Sequence, residues 1–317
     1  MYLWGDGRRF SSYAGYFKRT FGERVQKLTI DAGFTCPNRD GRVGTGGCTY
    51  CSNDAFNPSY CQAVKPVRQQ LEEGVTFHAN RYRRATKFLA YFQAYTNTYA
   101  PLSQLKTLYE EALGYPGVIG LVIGTRPDCV NAEILDYLQQ LSQHYYVIIE
   151  YGIESCYNRT LERINRGHTF EKAVWALEET AKRGVKTGAH FIFGLPGETV
   201  EAMMAEAAII SQLPLDTVKF HQLQIIRGTA MEGEFAAFPN DFVRFSIDSY
   251  IDFFISFVEQ LSPRIVIERF AGEVPPRFLA IPSWGLIRND QLLVRFEKQL
   301  EVRDTWQGKL FLEAAGS

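Results

Sequence analysis

Between residues 25 and 224 the chain repeats one pattern six times: a short apolar run that reads as a strand, then a longer stretch of helical period. The strands are read over 25–30, 88–93, 118–124, 146–152, 185–193 and 217–224, with helices over 65–83, 101–113, 132–142, 157–164, 170–183 and 198–212. Strands that alternate with helices pair in parallel, because each helix carries the chain back across the face of the sheet. Such crossovers are right-handed almost without exception, so the sheet curls one way. Six units are too few to close an eight-stranded barrel. The expected fold class is α/β, a partial (β/α)6 barrel of the TIM type.

The rhythm breaks near residue 228. A long amphipathic helix over 242–261, a strand over 264–270, a turn region holding Pro275, Pro276, Pro282 and Trp284, and a helix over 291–303 follow. Three regions are expected: an aromatic, basic arm (1–24) on the barrel edge, the barrel (25–228), and a C-terminal α+β appendage (229–317) covering its open side. The 23 Phe and 17 Tyr point to a bulky core. A net charge of −1 gives no global field toward nucleic acid or membrane. No run approaches the ~18–20 apolar residues of a membrane span, and the start lacks the pattern of a signal peptide. Six cysteines without an export signal are read as reduced thiols in the cytoplasm.

The loop after the first strand carries the chemistry. Phe34-Thr-Cys-Pro-Asn-Arg-Asp-Gly-Arg-Val-Gly-Thr-Gly-Gly-Cys-Thr-Tyr-Cys-Ser-Asn53 places Cys36, Cys48 and Cys51 in one glycine-rich segment. The short gap lets two thiolates grip one centre, and the glycines let the longer segment fold back with the third. Soft thiolates select an iron–sulfur cluster or zinc. Structural zinc takes four protein ligands, and Cys61 lies ten residues beyond Cys51. Cys61, Cys129 and Cys156 are scattered and read as small buried thiols. The loop begins at the C-terminal end of a strand, where α/β folds place their sites.

A Cys-x-aromatic-Cys ending, with Tyr50 before Cys51, resembles the radical S-adenosylmethionine (SAM) superfamily. The long first gap and its Cys-Pro-Asn-Arg-Asp-Gly sequence resemble proteins of the YhcC/YtqA type, related to the radical SAM domain of the Elongator catalytic subunit. The resemblance implies a partial barrel and a [4Fe-4S] cluster on Cys36, Cys48 and Cys51. It also implies SAM on the open iron, with Tyr50 near the adenine. Reductive cleavage would then yield a 5′-deoxyadenosyl radical that abstracts hydrogen from substrate. An electron donor such as flavodoxin or ferredoxin is implied as partner.

The other strand ends supply candidates around such a cofactor. Gln93 and Asn97 follow strand two, where the superfamily meets the amino group of SAM; a polar loop capping the next helix reads equally well. Arg126 and Asp128 after strand three form an anion site or a local pair. At strand four the resemblance places SAM contacts at Glu154 and Ser155, after Gly152. Gly188 and His190 lie on strand five, before Gly-Leu-Pro-Gly-Glu198. On strand six, Lys219 and His221 share a face with Leu223. Inward, the first two would be costly without partners, so they are catalytic candidates. The backbone of Leu223 is where relatives meet the adenine.

The substrate stays open at this level. The Elongator relationship points to the wobble uridine of tRNA, without the acetyl-transfer step. Local basic groups at Arg81-Tyr-Arg-Arg84, Arg163, Arg166 and Lys182-Arg183-Lys186 fit phosphates or ordinary helix faces. Radical chemistry on a small metabolite and a non-catalytic iron–sulfur carrier are the alternatives.

Overall fold

The computed structural model describes residues 1–53, 57–79, 85–281, 284 and 287–312. Among the described residues its frame is one parallel sheet of seven strands in sequential order. In chain order the elements are α1 (Tyr13–Phe21), β1 (Val25–Ile30), α2 (Val67–Ala79), β2 (Lys87–Phe92), α3 (Leu102–Leu113), β3 (Val118–Thr125), α4 (Ala132–Ser142), β4 (Tyr146–Glu154), α5 (Asn158–Arg163), α6 (Phe170–Lys182), β5 (Lys186–Phe193), α7 (Val200–Gln212), β6 (Thr217–Gln222), α8 (Ala230–Ala237), α9 (Ile247–Gln260), β7 (Val266–Arg269) and α10 (Asn289–Val302). Sequential order follows from the crossovers: each helix returns the chain one strand further along. The half-barrel expectation holds. One strand read into the appendage, 264–270, instead pairs in parallel with β6, so the sheet continues past residue 228. Its brevity and the long stretch before it hid the seventh repeat.

Element ends follow local chemistry. The Thr199 side chain accepts from Ala202 N–H and starts α7 at Val200, inside the longer helix read from sequence. Ser246 does the same for α9, so residues 242–246 stay outside the helix. The Arg81–Arg84 group lies outside the described residues.

The two faces of the sheet divide the core. Leu28, Ile30, Ala90, Phe92, Leu121, Ile123, Val147 and Ile149 face the helices and join one large apolar cluster. Leu89, Tyr91, Val122, Tyr146 and Ile148 face the barrel interior and meet Phe17 of α1. The N-terminal arm therefore closes the bottom of the half-barrel. Just before it, Ser11 C=O accepts from Ile267 N–H, which binds the arm to the β7 edge. The aromatic content is spent in the core: Phe193 and Phe220 stack with centroids 5.2 Å apart, and Phe253, Phe254 and Phe257 of α9 pack over them. Among the described residues no helix is long and apolar enough to cross a membrane.

Candidate active site at the strand ends

The cysteine loop leaves β1 and folds back on itself. Val43 and Gly44 N–H groups donate to Pro37 C=O, and Gly47 N–H donates to Asn38 C=O. Gly46 and Gly47 take positive φ, which only glycine adopts cheaply, so the long gap can reverse direction before Cys48. Cys51 N–H donates to Cys48 C=O at 3.0 Å, the tight turn expected of the short gap. Thr49 N–H donates to Ile164 C=O, anchoring the loop to the end of α5.

Arginines surround the three sulfurs. Arg166 Nη1 lies 3.5 Å from Cys48 Sγ, and Arg126 Nη1 lies 4.0 Å from Cys36 Sγ. Arg39 donates to the Cys51 carbonyl at 3.1 Å. Burial pushes the Cys51 thiol up, and the neighbouring Arg39 opposes that. Arg126 and Arg166 are both buried, and each guanidinium has an oxygen partner. Arg126 makes a two-pronged contact with Asp128 at 2.8 and 2.9 Å, the local pair that was one of its two sequence readings. Arg166 donates to Gly152 C=O and stands 3.6 Å from Glu154. Its role at the sulfurs was not legible from sequence, because Asn165, in the left-handed region, turns the chain back to the loop there. His168, beside these arginines, is driven down to about 3 by burial and Arg166, so its ring is neutral.

Strand β4 ends in a register shift between Gly152 and Glu154, and Glu154 takes φ +79. A non-glycine residue in that region is strained. The shift puts the Glu154 carboxylate beside Arg166, and Cys48 and Glu154 both act on the half-buried Tyr50 phenol, whose ionisation desolvation suppresses first. Tyr50 and Leu223 pack on the same apolar cluster with Ile164, Ile192 and Ile225. Cys48, Tyr50, Glu154, Arg166 and Leu223 thus gather at one mouth of the half-barrel. A cavity of ≈ 70 Å³ opens beside it, lined by Gly194, Leu223, Phe242, Arg244 and Trp284 among others.

The remaining candidates fall into distinct places. Gln93 ends β2, its N–H donating to Ile30 C=O. Asn97 is buried and its amide donates to Ala94 and Gly124 carbonyls, holding a loop in which Ala94 and Tyr95 both take positive φ. Ser155 is engaged elsewhere: its hydroxyl donates to Glu198 and accepts from Tyr157 N–H. Glu206 accepts from Cys156 N–H at 2.8 Å in the same pocket. Lower in the barrel, Lys219 pairs with Glu150 and Glu268, and so does Lys27. Gly188 clears space against Glu150 and Thr217. His190 Nε2 lies 3.2 Å from Glu150, and the His221 ring lies 5.7 Å from that of His190. Burial and nearby cations hold His221 neutral.

The donor set fits a cluster held by three thiolates. All six cysteines are free thiols. Burial pushes Cys61 and Cys129 up to about 12 and Cys156 well above the ordinary thiol range, and none of the three lies on the loop that carries Cys36, Cys48 and Cys51. Cys36, Cys48 and Cys51 lie on one loop, with the Arg126 and Arg166 guanidiniums reaching the Cys36 and Cys48 sulfurs. Among the described residues no three His, Cys, Asp or Glu converge as ligands of a single ion; the case for a cluster rests on the three thiols carried by one loop. Among the described residues, buried Arg166 Nε, Thr96 Oγ1 and Asn97 Oδ1 lack hydrogen-bond partners, leaving polar capacity around the mouth.

Comparison with known proteins gives the same outline. The radical SAM superfamily matches residues 39–208, and a radical SAM C-terminal domain matches residues 215–301. The chain is 32% identical over 304 residues to protein YtqA of Bacillus subtilis, covering 96% of this chain and 93% of that one. A tRNA uridine(34) acetyltransferase of Methanocaldococcus infernus is 28% identical over 131 residues, 39% of this chain and 24% of that protein. The solved structure of Elp3 from the same archaeon, lacking its first 46 residues, superposes with a TM-score of 0.66 at 17% identity, covering 89% of this chain and 64% of that one; it shares the fold.

Proposed function

This chain belongs to the radical SAM superfamily, and on that premise we propose that it reductively cleaves SAM and uses the 5′-deoxyadenosyl radical to take hydrogen from a substrate. Cys36, Cys48 and Cys51 would hold a [4Fe-4S] cluster, which when bound supplies the electron for that cleavage. The observation that carries the reading is the convergence of Cys48, Tyr50, Glu154 and Leu223 at one mouth of the half-barrel. Glu154 offers a carboxylate to hydroxyl or ammonium groups. Tyr50 and the Leu223 backbone would flank a flat base. The apolar cluster beneath them keeps water from the reacting carbon. Gln93 and the loop held by Asn97 would meet the polar end of SAM. His190, backed by Glu150, would hold or move a proton at its ring nitrogen.

The substrate we assign is the wobble uridine of tRNA. Similarity to the tRNA uridine(34) acetyltransferase and to the Elp3 fold supports it. So does the surface beside the cysteine loop. Arg39 lies over Tyr95, Arg42 over Tyr99 and Lys172 over Trp175, with cation-to-ring distances of 5.4, 5.6 and 3.4 Å. Cation–aromatic pairs of this kind suit an unstacked base and its phosphate. Arg163, by contrast, is tied to Glu234 and Asp241. A flavodoxin- or ferredoxin-type donor would supply the electron.

Reconstituted protein with a chemical reductant should convert SAM to 5′-deoxyadenosine; no cleavage would leave a cluster-bearing carrier. Mass comparison of tRNA nucleosides with and without the gene tests the substrate. Altered wobble uridines support it, and an unchanged profile with active SAM cleavage would move the assignment to a small metabolite.

A further inference from the structure

Two buried guanidiniums stand directly behind the thiol loop, and neither belongs to a cofactor motif in the sequence. Arg126 reaches the loop from the end of β3, with Asp128 neutralising one edge of its fork. Arg166 reaches it from the turn after α5. Its three contacts run to different parts of the site: Nη1 to Cys48 Sγ at 3.5 Å, Nη2 to the Gly152 carbonyl, and Nη2 to Glu154 at 3.6 Å. Its Nε is buried without a hydrogen-bond partner among the described residues. A buried cation held this way is expensive unless negative charge faces it. Glu154 supplies part of that charge, and the Cys48 side faces the rest.

We propose that Arg166, with Arg126 beside it, is a positioning residue that sets the charge behind the three-thiolate centre and ties Cys48 to the strand end presenting Glu154. This rests on the cluster assignment above. A fixed cation at a cluster thiolate stabilises the more negative, reduced form, since hydrogen bonds to the sulfurs and nearby charge set the potential. The same side chain braces the β4 shift, so electron acceptance and cofactor contact are adjusted by one group.

The test is redox titration of the full-length, anaerobically reconstituted protein, followed by electron paramagnetic resonance with and without SAM. Arg166→Met removes both the charge and the donors. At a fixed reducing potential its reduced-to-oxidised ratio should fall about tenfold, equivalent to about 59 mV for a one-electron couple. Arg166→Lys keeps the charge and should recover the ratio to within about threefold, while the spectral change on adding SAM stays weakened, because an ammonium cannot span Cys48 and Gly152 together. A parental ratio and a parental SAM response in Arg166→Met would overturn the proposal. So would equal loss of ratio in the Met and Lys variants, which would mark a packing role. If Arg166→Met retains no iron, Arg166→Gln replaces it: a lowered ratio supports the assignment and an unchanged ratio overturns it. Parent protein that binds no iron–sulfur cluster would instead sink the cluster assignment itself.

Discussion

Lys219 Nζ stands 2.6 Å from Glu150 Oε2 in the barrel interior, and both side chains are almost wholly buried. Lys27 lies 2.6 Å from the other Glu150 oxygen and 2.6 Å from Glu268, and Glu268 lies 3.3 Å from Lys219. Two ammonium groups and two carboxylates therefore alternate in a closed, neutral ring below the site. Lys219, read as a catalytic candidate, is held in that ring.

Lys219→Met should destabilise the protein by about 3–5 kcal/mol, because it leaves a buried carboxylate short of its partner. The double variant with Glu150→Gln should recover part of that loss. Burial raises the affinity of Glu150 for protons, but Lys219, Lys27 and His190 outweigh it and hold the carboxyl well below its usual range. Its stabilisation is thus present above the unfolded carboxyl pKa of about 4.3 and is lost as pH falls through the lower folded value. Denaturant melts from pH 3 to 7 should show Glu150→Gln losing this acid-side slope.

Glu206 should behave in the opposite sense. Burial, and then Glu198, push its carboxyl well above the usual range. Its contribution is fully favourable below the unfolded pKa and declines as pH rises toward the folded one. Glu206→Gln keeps an acceptor for Cys156 N–H and removes the ionisation. The variant should match the parent near pH 4 and exceed it increasingly at higher pH, by about 1.4 kcal/mol for each unit of upward shift. Thermal melts at pH 4, 6 and 8 check this, and a constant difference across the series would contradict it.

Much of this was legible in the chain because period and spacing are local signals. Alternation gave the parallel half-barrel, and strand β1 and helix α4 fall on the residues read for them. The cysteine loop was readable because glycines and thiols leave few other uses. What sequence hid was pairing at a distance. Ser155 shows no partner in the sequence, and only the fold brings Glu198 and Glu206, more than forty residues later, to its hydroxyl and its neighbour's N–H. Lys219 looks unpaired until β4 brings Glu150 and β7 brings Glu268 to the same depth. Arg166 looks like a surface cation of a basic group, and only the turn after α5 buries it against Cys48.

Cys36→Ala, Cys48→Ala and Cys51→Ala should each abolish the brown iron–sulfur chromophore and SAM cleavage. Cys61→Ala and Cys129→Ala should keep both, since neither lies on the loop that carries the other three. Iron content and visible absorbance after anaerobic reconstitution are the readouts. Loss of iron in Cys61→Ala would mean a four-thiolate centre with no open position.

Gly152→Ala tests the strand end itself. A Cβ there would sit 2.6 Å from Glu154 Oε1 and 2.7 Å from Arg166 Nη2, well inside contact distance. Glu154 is a carboxylate end that can swing, whereas Arg166 is fixed by Gly152 C=O and Cys48. The methyl should therefore displace Glu154 from the mouth more than it disturbs the sheet, because Gly152 is not in the positive-φ region that only glycine tolerates. SAM affinity should fall about tenfold, the loss of one charged hydrogen bond, while the melting temperature shifts little. Gly233→Ala is the control: its Cβ would meet nothing within 4 Å on helix α8, so it should gain up to about 1 kcal/mol of stability with SAM binding unchanged. Equal SAM affinity in Gly152→Ala and parent, measured by equilibrium binding to the reconstituted protein, would remove Glu154 from the cofactor contact.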